Sequence, residues 1–171
     1  MIKPTKPLRP SDVAGHYDEL DRFYRDVWGD HVHHGYWVRG TESPREAVEQ
    51  LVDHVAGNLD LSAGQNVLDV GCGYGATSRR LAEEHGVNVT GLTISPAQHR
   101  YALTVTQDPR VTMMLHDWMR NDFASQSYDR VVSLECVSHI EDKEGFFREV
   151  SRVLKPGGRG VVIAWLPSVS P

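Results

Sequence analysis

Cysteine, excess basic charge and long apolar runs are all scarce in this 171-residue chain. Its two cysteines, Cys72 and Cys136, are too few for a disulfide scaffold, so we expect reduced thiols and a cytoplasmic protein. Lys and Arg number 18 against 23 Asp and Glu, a formal net charge of −5, which argues against a binder of nucleic-acid phosphates. No apolar run approaches the roughly 18 residues of a membrane span, and residues 1–10 lack the apolar segment of a signal peptide.

The chain does contain a regular alternation of short apolar segments with amphipathic ones. Five apolar segments predict strands, at 66–70, 87–92, 111–115, 129–134 and 160–166. Three intervening segments predict helices, at 76–84, 96–107 and 144–154. Apolar strands that alternate with helices are typical of a parallel sheet covered on both faces. We therefore predict an α/β fold with a Rossmann-like, doubly wound and mostly parallel sheet.

Two helices are predicted ahead of the first strand. Residues 1–10 carry three prolines and no apolar period, which predicts a loose arm. From Ser11, a candidate N-cap, apolar residues recur at helical spacing as far as Trp28. A glycine-containing loop follows at 29–42. The second helix is predicted to begin with a capping box, formed by Ser43, Pro44 and Glu46.

The segment LDVGCGYGA marks the junction of the first predicted strand with its helix. Gly71, Gly73 and Gly75 permit a sharp turn and a close approach of a ligand to the backbone. The helix behind them offers unpaired N–H groups to an anion, at the edge where doubly wound sheets bind ligands. The run from Gly71 to Ala76 also fits a dinucleotide turn, but the acid that such a site needs after the second strand is absent. A purely structural turn is the other alternative.

Three histidines lie within four positions in GDHVHHGYW, at His31, His33 and His34. Imidazole binds zinc well, but this spacing brings no fourth partner of cysteine or aspartate type, so we predict no metal site. We favour a lid that closes over a bound ligand, with a solvated loop as the alternative. His139 and Glu135 follow the fourth strand, where a neutral imidazole can take a proton from a hydroxyl or amine. A packing or cofactor-contact role for His139, and a structural role for Glu135, are the alternatives.

Four blocks of the sequence, in register, resemble class I S-adenosylmethionine-dependent methyltransferases. They are WGDHVHHGYW, VLDVGCGYGATS, VTGLTISPAQ and SYDRVVSLECVSHIEDKEGFFREVSRVLKPGGRGVV. The first and third resemble the small-molecule branch that includes tocopherol and sterol methyltransferases and the cyclopropane fatty acid synthases. The likeness runs from about Tyr17 to the end. It implies S-adenosylmethionine as cofactor and methyl transfer to an O, N or C atom of a small-molecule acceptor.

The resemblance also implies which residues surround the methionine part of the cofactor. The glycine turn would pass beneath it and supply Gly71, Gly73, Gly75 and, for the turn or the ammonium group, Asp69. The N-terminal segment would cover it from above with Tyr17, His33, Tyr36 and Trp37. Aromatic faces in that segment would attract the sulfonium by cation–π contact. His139 and Glu135 are the candidate catalytic residues.

The nucleoside part has its own implied residues. Thr93 and Gln98 would hold the ribose, where most class I members use an acid. The Asp117 carboxylate would accept a hydrogen bond from the exocyclic amine of adenine, and the Trp118 indole would stack on the ring or line it.

Two features depart from the family pattern. Cyclopropane synthases place a glutamate directly before the histidine that follows strand four, and this chain has Ser138 there, which favours plain methyl transfer over cyclopropanation of a lipid. The family fold has two further strands, so we predict a truncated core whose fifth strand leaves an edge open to a second copy or a complementing subunit. The chain thus divides into a loose arm at 1–10, helices and a cofactor-covering loop at 11–60, and the core at 61–171. A non-catalytic module that binds the cofactor or a partner is the remaining alternative.

Overall fold

The computed structural model describes residues 9–165, and in them five strands form one parallel sheet. The strands are β1 (Asn66–Val70), β2 (Asn88–Thr93), β3 (Val111–Leu115), β4 (Tyr128–Leu134) and β5 (Leu154–Ile163). Their spatial order is β3-β2-β1-β4-β5, and every neighbouring pair is parallel. Successive strands are added on one side of β1 up to β3 and then on its other side from β4 onward. This change of side between β1 and β4 confirms the predicted doubly wound α/β fold.

Helices cover both faces of this sheet. They are α1 (Pro10–Glu19), α2 (Asp21–Val27), α3 (Pro44–Leu59), α4 (Ala76–His85), α5 (Pro96–Val105) and α6 (Lys143–Val153). One apolar cluster joins α3, α4 and α5 to the sheet, and a second joins α6 to the opposite face. Two short 3-10 turns, Trp118–Arg120 and Cys136–His139, follow β3 and β4 at the carboxyl edge. None of the helices in the described range is long and apolar enough to span a bilayer.

The N-terminal segment contains three helices where the apolar spacing predicts two. The first helix begins at Pro10, whereas the sequence predicts Ser11. Arg9 takes the N-cap position there, and its N–H donates to the Asp12 carboxylate (3.2 Å). A break at Leu20 (φ −98°, ψ 8°) then separates α1 from α2. The predicted loose arm lies mostly outside the described residues.

The third helix begins as predicted. The Ser43 hydroxyl accepts a hydrogen bond from the Glu46 N–H (3.3 Å), and the Glu46 carboxylate accepts one from the Ser43 N–H (2.8 Å). This capping box satisfies two N–H groups that the first turn leaves without partners. It fixes the point at which the loop from 29 to 42 rejoins the core.

The fifth strand begins earlier and ends earlier than predicted. Tyr128 pairs with Leu154 but Arg130 pairs with Arg159, so the KPGG segment, predicted as a turn before the strand, forms an irregularity within it. Gly157 takes a positive φ of 78° there. The strand ends at Ile163, and the last predicted strand residue, Leu166, lies outside the described residues.

Candidate active site

A cavity of about 550 Å³ opens at the carboxyl ends of the strands. Its floor includes the strand ends Val70, Leu92 and Leu134, and its roof includes Tyr17 and Tyr24 from α1 and α2. The volume falls within the range of about 300–1,000 Å³ that small-molecule sites occupy. Its position beside the β1–β4 boundary is the place where doubly wound sheets bind ligands.

The lining of this cavity is acidic. Among the described residues it includes four carboxylic acids, Asp117, Glu135, Glu141 and Asp142, and neither lysine nor arginine. Partly enclosed charges of one sign raise the local concentration of a ligand of the opposite sign. The cavity therefore favours a cationic ligand over an anionic one.

The glycines of the turn after β1 serve different purposes. Gly71 and Gly75 have φ values of +83° and +76°, and an added Cβ would overlap Cys136 at the first and Met113 at the second. Gly73 has a φ of +56°, but the nearest atom to an added Cβ is a Val32 methyl carbon at 3.9 Å. Gly71 and Gly73 line the cavity and Gly75 does not. Gly73 is thus the position at which the bare backbone faces open space.

Asp69 lies buried beneath the turn. Its carboxylate accepts a hydrogen bond from the Ser78 hydroxyl (2.6 Å), and burial raises the pKa of Asp69 to about 6. The carboxyl group borders a second, much smaller cavity of about 30 Å³, which His31 and His33 close from the loop side. This volume suits about one water molecule.

The loop histidines form a chain of hydrogen bonds. His33 Nδ1 lies 2.9 Å from the His34 carbonyl and donates to it, which leaves His33 Nε2 to accept from His31 Nδ1 at 3.2 Å. Burial, then the neighbouring His33, lowers the pKa of His31 to about 4, and burial lowers that of His33 as well. Within residues 9–165, no group of three or more histidine, cysteine or acidic side chains is arranged to hold a metal ion.

Two further groups of polar side chains face the cavity. The Thr93 hydroxyl donates to the Gln98 carbonyl oxygen (2.7 Å), so the amide nitrogen of this buried glutamine is left to donate to a ligand. One Asp117 oxygen accepts from the Met119 N–H (3.0 Å) and caps the first 3-10 turn. The other oxygen lies 3.9 Å from Nε of the exposed Arg120, in a long ion pair that leaves room for a ligand donor. The Trp118 side chain is 3% exposed, and its indole N–H has no hydrogen-bond partner. This nitrogen is itself buried within the apolar cluster that Trp118 shares with Phe146, so the indole faces the cavity through its ring and not through its N–H.

Tyr17 meets His139 at the rim. The Tyr17 hydroxyl lies 3.1 Å from His139 Nε2, and the rings are in edge-to-face contact. Burial raises the pKa of Tyr17 to about 12. Partial desolvation, then the charges of His16 and Lys143, lower the pKa of His139.

Comparisons with known proteins decide the family. Residues 5–166 match the family model described as mycolic acid cyclopropane synthetase. The chain belongs to the mycolic acid cyclopropane synthetase family. The resemblance that the four sequence blocks indicate is therefore confirmed.

Curated relatives of this family member are methyltransferases. It is 37% identical to 27-O-demethylrifamycin SV methyltransferase of Amycolatopsis mediterranei (strain S699), with 93% of this chain and 58% of that protein covered. It is 40% identical to 2-methyl-6-phytyl-1,4-hydroquinone methyltransferase of Synechocystis sp. (strain ATCC 27184 / PCC 6803 / Kazusa), with 90% and 51% covered. The chain thus spans slightly more than half the length of the curated relatives it matches.

Solved structures give the same result. The [4+2]-cyclase SpnF has a TM-score of 0.86 and 31% identity, with 90% of this chain and 59% of that chain covered. The mycolic acid cyclopropane synthase CmaA1, complexed with SAH and CTAB, has a TM-score of 0.78 and 31% identity, with 94% and 56% covered. The family fold therefore carries more than one chemistry.

In this family member, the large cavity brings together nine of the fourteen residues that the sequence singles out. They are Tyr17, Gly71, Gly73, Thr93, Gln98, Asp117, Trp118, Glu135 and His139. His33 and Asp69 line the small cavity instead. Gly75 lines neither, because it packs against β3.

Tyr36 and Trp37 lie away from the large cavity, contrary to the prediction. The Tyr36 ring packs on His54 with centroids 5.0 Å apart, and the Trp37 indole N–H donates to the Glu42 carbonyl (3.1 Å). The reason is the preceding backbone: the Tyr36 N–H donates to the Ala47 carbonyl (2.7 Å), which turns the loop towards α3.

Other aromatic side chains take the place of that pair. Tyr24 and Trp28 from the α2 region line the cavity, and so does Trp165 after β5. Tyr17, Tyr24 and Trp28 are seven and four residues apart, a spacing that would share one face of a continuous helix and that offers a sequence signal despite the break at Leu20. Nothing in the sequence before Trp165 points to its position.

Proposed function

We propose that the protein transfers a methyl group from S-adenosylmethionine to a small-molecule acceptor. The observation that carries this proposal is the acidic cavity, with the bare backbone of Gly73 on one side and the Asp117–Trp118 pair on another. The methyltransferase relatives support it. When bound, this cofactor supplies a methyl group already activated by its sulfonium charge.

The residues present fit the nucleoside part of that cofactor. In this proposal the second oxygen of Asp117 accepts from the adenine amine, and the Trp118 ring lines the adenine pocket. The Gln98 amide nitrogen donates to the ribose, with Thr93 holding the amide by its oxygen.

The methionine part fits the opposite end. The Gly73 backbone N–H, ahead of the N-terminus of α4, suits its carboxylate, whereas the Gly71 N–H already donates to the Leu92 carbonyl (3.0 Å). The ring of Tyr17 and the acidic lining suit the sulfonium. Asp69 and His33 do not contact the cofactor in this proposal, but Asp69 supports the glycine turn and His33 supports the loop. Gly75 lets α4 pack closely against the sheet.

For the catalytic pair we propose unequal roles. His139 lies at the rim with its imidazole neutral, so it can take a proton, whereas the Glu135 carboxylate is already engaged by two donors of His34. Alignment and exclusion of water supply much of the rate in a displacement from an activated donor. Ser138 occupies the position of the glutamate of cyclopropane synthases, so we favour methyl transfer over cyclopropanation.

The acceptor that fits best is uncharged, largely apolar and hydroxyl-bearing. Tyr24, Trp28 and Trp165 offer aromatic surface, and the described lining holds no cation to neutralise a phosphate or carboxylate. We further propose a cytoplasmic role in small-molecule metabolism, which the free thiols of Cys72 and Cys136 support. The outer edge of β5 has no paired strand within the described residues, and we propose it as the place where a second copy or a complementing subunit docks.

Calorimetry with S-adenosylhomocysteine tests the cofactor half of this proposal. We expect binding to the wild type, and a loss of at least tenfold in affinity for Gly73→Ala, whose new methyl group enters the ligand space. Gly64→Ala is the matched control, because Gly64 also has a positive φ (+82°) with open space around it but lies before β1. Absence of binding, or equal losses in both variants, would contradict the proposal, as would binding of NADH instead.

Methyl transfer itself is tested with radiolabelled S-adenosylmethionine and a panel of alkylated 1,4-hydroquinones, with phosphoethanolamine as a charged comparison. We expect label in the hydroquinone ethers and none in the phosphate ester. Label in phosphoethanolamine would contradict the assignment of an uncharged acceptor. A chain that binds the cofactor analogue but labels nothing would favour the non-catalytic module.

A further inference from the structure

One hydrogen bond crosses the mouth of the cavity between residues 122 positions apart. Tyr17 of α1 places its hydroxyl 3.1 Å from Nε2 of His139, and both side chains line the cavity. Tyr17 is held from behind, since the Tyr24 ring packs against it with centroids 5.5 Å apart and the Tyr24 hydroxyl bonds to His16 (3.0 Å). The position of the Tyr17 hydroxyl is therefore fixed from two sides.

The acid strengths of the two groups set the direction of this bond. A phenol, with an ordinary pKa near 10, is a far better donor than a neutral imidazole N–H, and imidazole nitrogen is a far better acceptor than a phenol oxygen. Burial strengthens the argument because it raises the pKa of Tyr17 and keeps the hydroxyl protonated. Tyr17 thus donates to Nε2, and the ring proton of His139 lies on Nδ1.

This direction has a consequence for catalysis. The lone pair of His139 that could take a proton is covered by the Tyr17 hydroxyl, so an acceptor cannot reach it directly. We propose that Tyr17 is the residue that contacts the acceptor hydroxyl and relays its proton to His139. The inference rests on the proposed function and assigns the acceptor side of the same site.

The relay consists of two proton transfers that accompany the methyl transfer. The acceptor oxygen forms its bond to the methyl carbon while its proton moves to the Tyr17 oxygen, and the Tyr17 proton moves to His139 Nε2. The electron pair of the broken carbon–sulfur bond stays on sulfur, so the positive charge passes from the sulfonium to the imidazolium. The imidazolium then loses its proton to water, and Tyr17 and His139 regain their starting forms.

The surroundings of His139 favour its neutral form before the reaction. Desolvation, then the neighbouring His16 of α1 and Lys143 of α6, disfavour its charged form, while Glu135 at the end of β4 favours it. The first three effects prevail and lower the pKa of His139. The base is therefore ready to receive a proton at neutral pH.

Nitrogen-15 NMR of the histidine-labelled chain tests this inference without any ligand. At pH 8 we expect the His139 signals, assigned by their loss in H139A, to show the proton on Nδ1 and a bare Nε2. In Tyr17→Phe this preference should be lost and the pKa of His139 should rise, because Nε2 no longer has a donor. Tyr24→Phe, which removes the same atom from the neighbouring ring, should keep both.

Two results would overturn the relay. They are a wild-type His139 with its proton on Nε2, and a tautomer that Tyr17→Phe leaves unchanged. Neither depends on cofactor binding, so failure of the relay and failure of the proposed function remain distinguishable. If the chain binds S-adenosylhomocysteine but His139 carries its proton on Nε2, the relay is wrong and the proposed function stands.

Discussion

His34 and Glu135 are joined by two hydrogen bonds across the mouth of the cavity. The backbone N–H of His34 donates to one carboxylate oxygen at 3.1 Å, and its ring Nδ1 lies 2.9 Å from the other. Glu135 holds this position in a left-handed conformation (φ 62°, ψ −2°), which is costly for a residue with a side chain. Trp165 approaches the same ring nitrogen at 3.2 Å. Glu135 therefore fastens the loop to the end of β4.

Removing the Glu135 carboxylate should release the loop. We expect Glu135→Ala to speed amide exchange in residues 30–36 by about 30-fold, since two hydrogen bonds of about 1 kcal/mol each are lost. Glu135→Gln keeps an acceptor for the His34 N–H and should show a smaller effect. Hydrogen exchange with mass spectrometry measures this, and unchanged exchange in Glu135→Ala would contradict the fastening role.

Two substitutions of Asp117 should distinguish its role in ligand binding from its role in stability. Asp117→Asn keeps the cap on the Met119 N–H but turns the ligand-facing oxygen into a donor, so S-adenosylhomocysteine should bind about 1–3 kcal/mol more weakly. Asp117→Ala should weaken binding by a similar amount and also lower the free energy of unfolding by about 1 kcal/mol, because the cap is lost. Calorimetry and urea unfolding give the two quantities. Unchanged affinity in Asp117→Asn would remove the residue from the adenine site.

Tyr17 and His139 should behave as one unit in turnover. In the hydroquinone assay we expect Tyr17→Phe and His139→Ala each to lower kcat by about 10²-fold, with the double variant no slower than either. The affinity for S-adenosylhomocysteine should change far less. Additive losses in kcat would show that the two residues act independently.

Asp69 and His31 should give opposite pH dependences of stability. The folded chain keeps the Asp69 proton up to about pH 6, whereas the unfolded chain releases it near pH 4, so this group lowers stability as pH rises through that window. The unfolded chain protonates His31 below about pH 6.5 but the folded chain only near pH 4, so this group raises stability as pH rises. Each contribution is about 3 kcal/mol in size, and His33 adds to the second.

The wild type should consequently show a rise in stability between pH 4 and 6.5 that Asp69 partly offsets. Asp69→Asn should steepen this rise, and His31→Gln should reduce it. Urea unfolding of the three proteins at four pH values tests this. Parallel curves for all three would contradict the opposed shifts.

Local signals in the sequence sufficed for the sheet and for the position of the glycine turn after β1. Buried parallel strands read as apolar runs, and the capping box at Ser43 acts within four residues, so both could be recognised without tertiary information. The break at Leu20 could not, because the apolar spacing continues across it while both helices direct aromatic rings to the same cavity. The irregularity in β5 depends on its register with Tyr128 and Arg130, which a single strand does not encode.

The site shows the same division. Gly71, Gly73 and Asp117 follow directly on strands β1 and β3, so the end of each strand determines where they lie. Tyr36 and Trp37 depend on a contact that the loop makes with Ala47, outside their own segment. The strand ends therefore bring the predicted residues to the cavity, whereas the loop packs on α3 and takes Tyr36 and Trp37 away from it.

The four acids and the absence of lysine and arginine in the described lining also bear on how a reaction cycle ends. The methyl donor carries one more positive charge than the thioether it leaves behind, so the electrostatic attraction that draws the first into the cavity is weaker for the second. Once the methyl group has gone, the spent nucleoside keeps its ammonium and carboxylate groups, whose charges sum to zero. Under the proposed function, the cavity should therefore distinguish fresh donor from used donor by charge, and high salt should reduce the difference in their affinities.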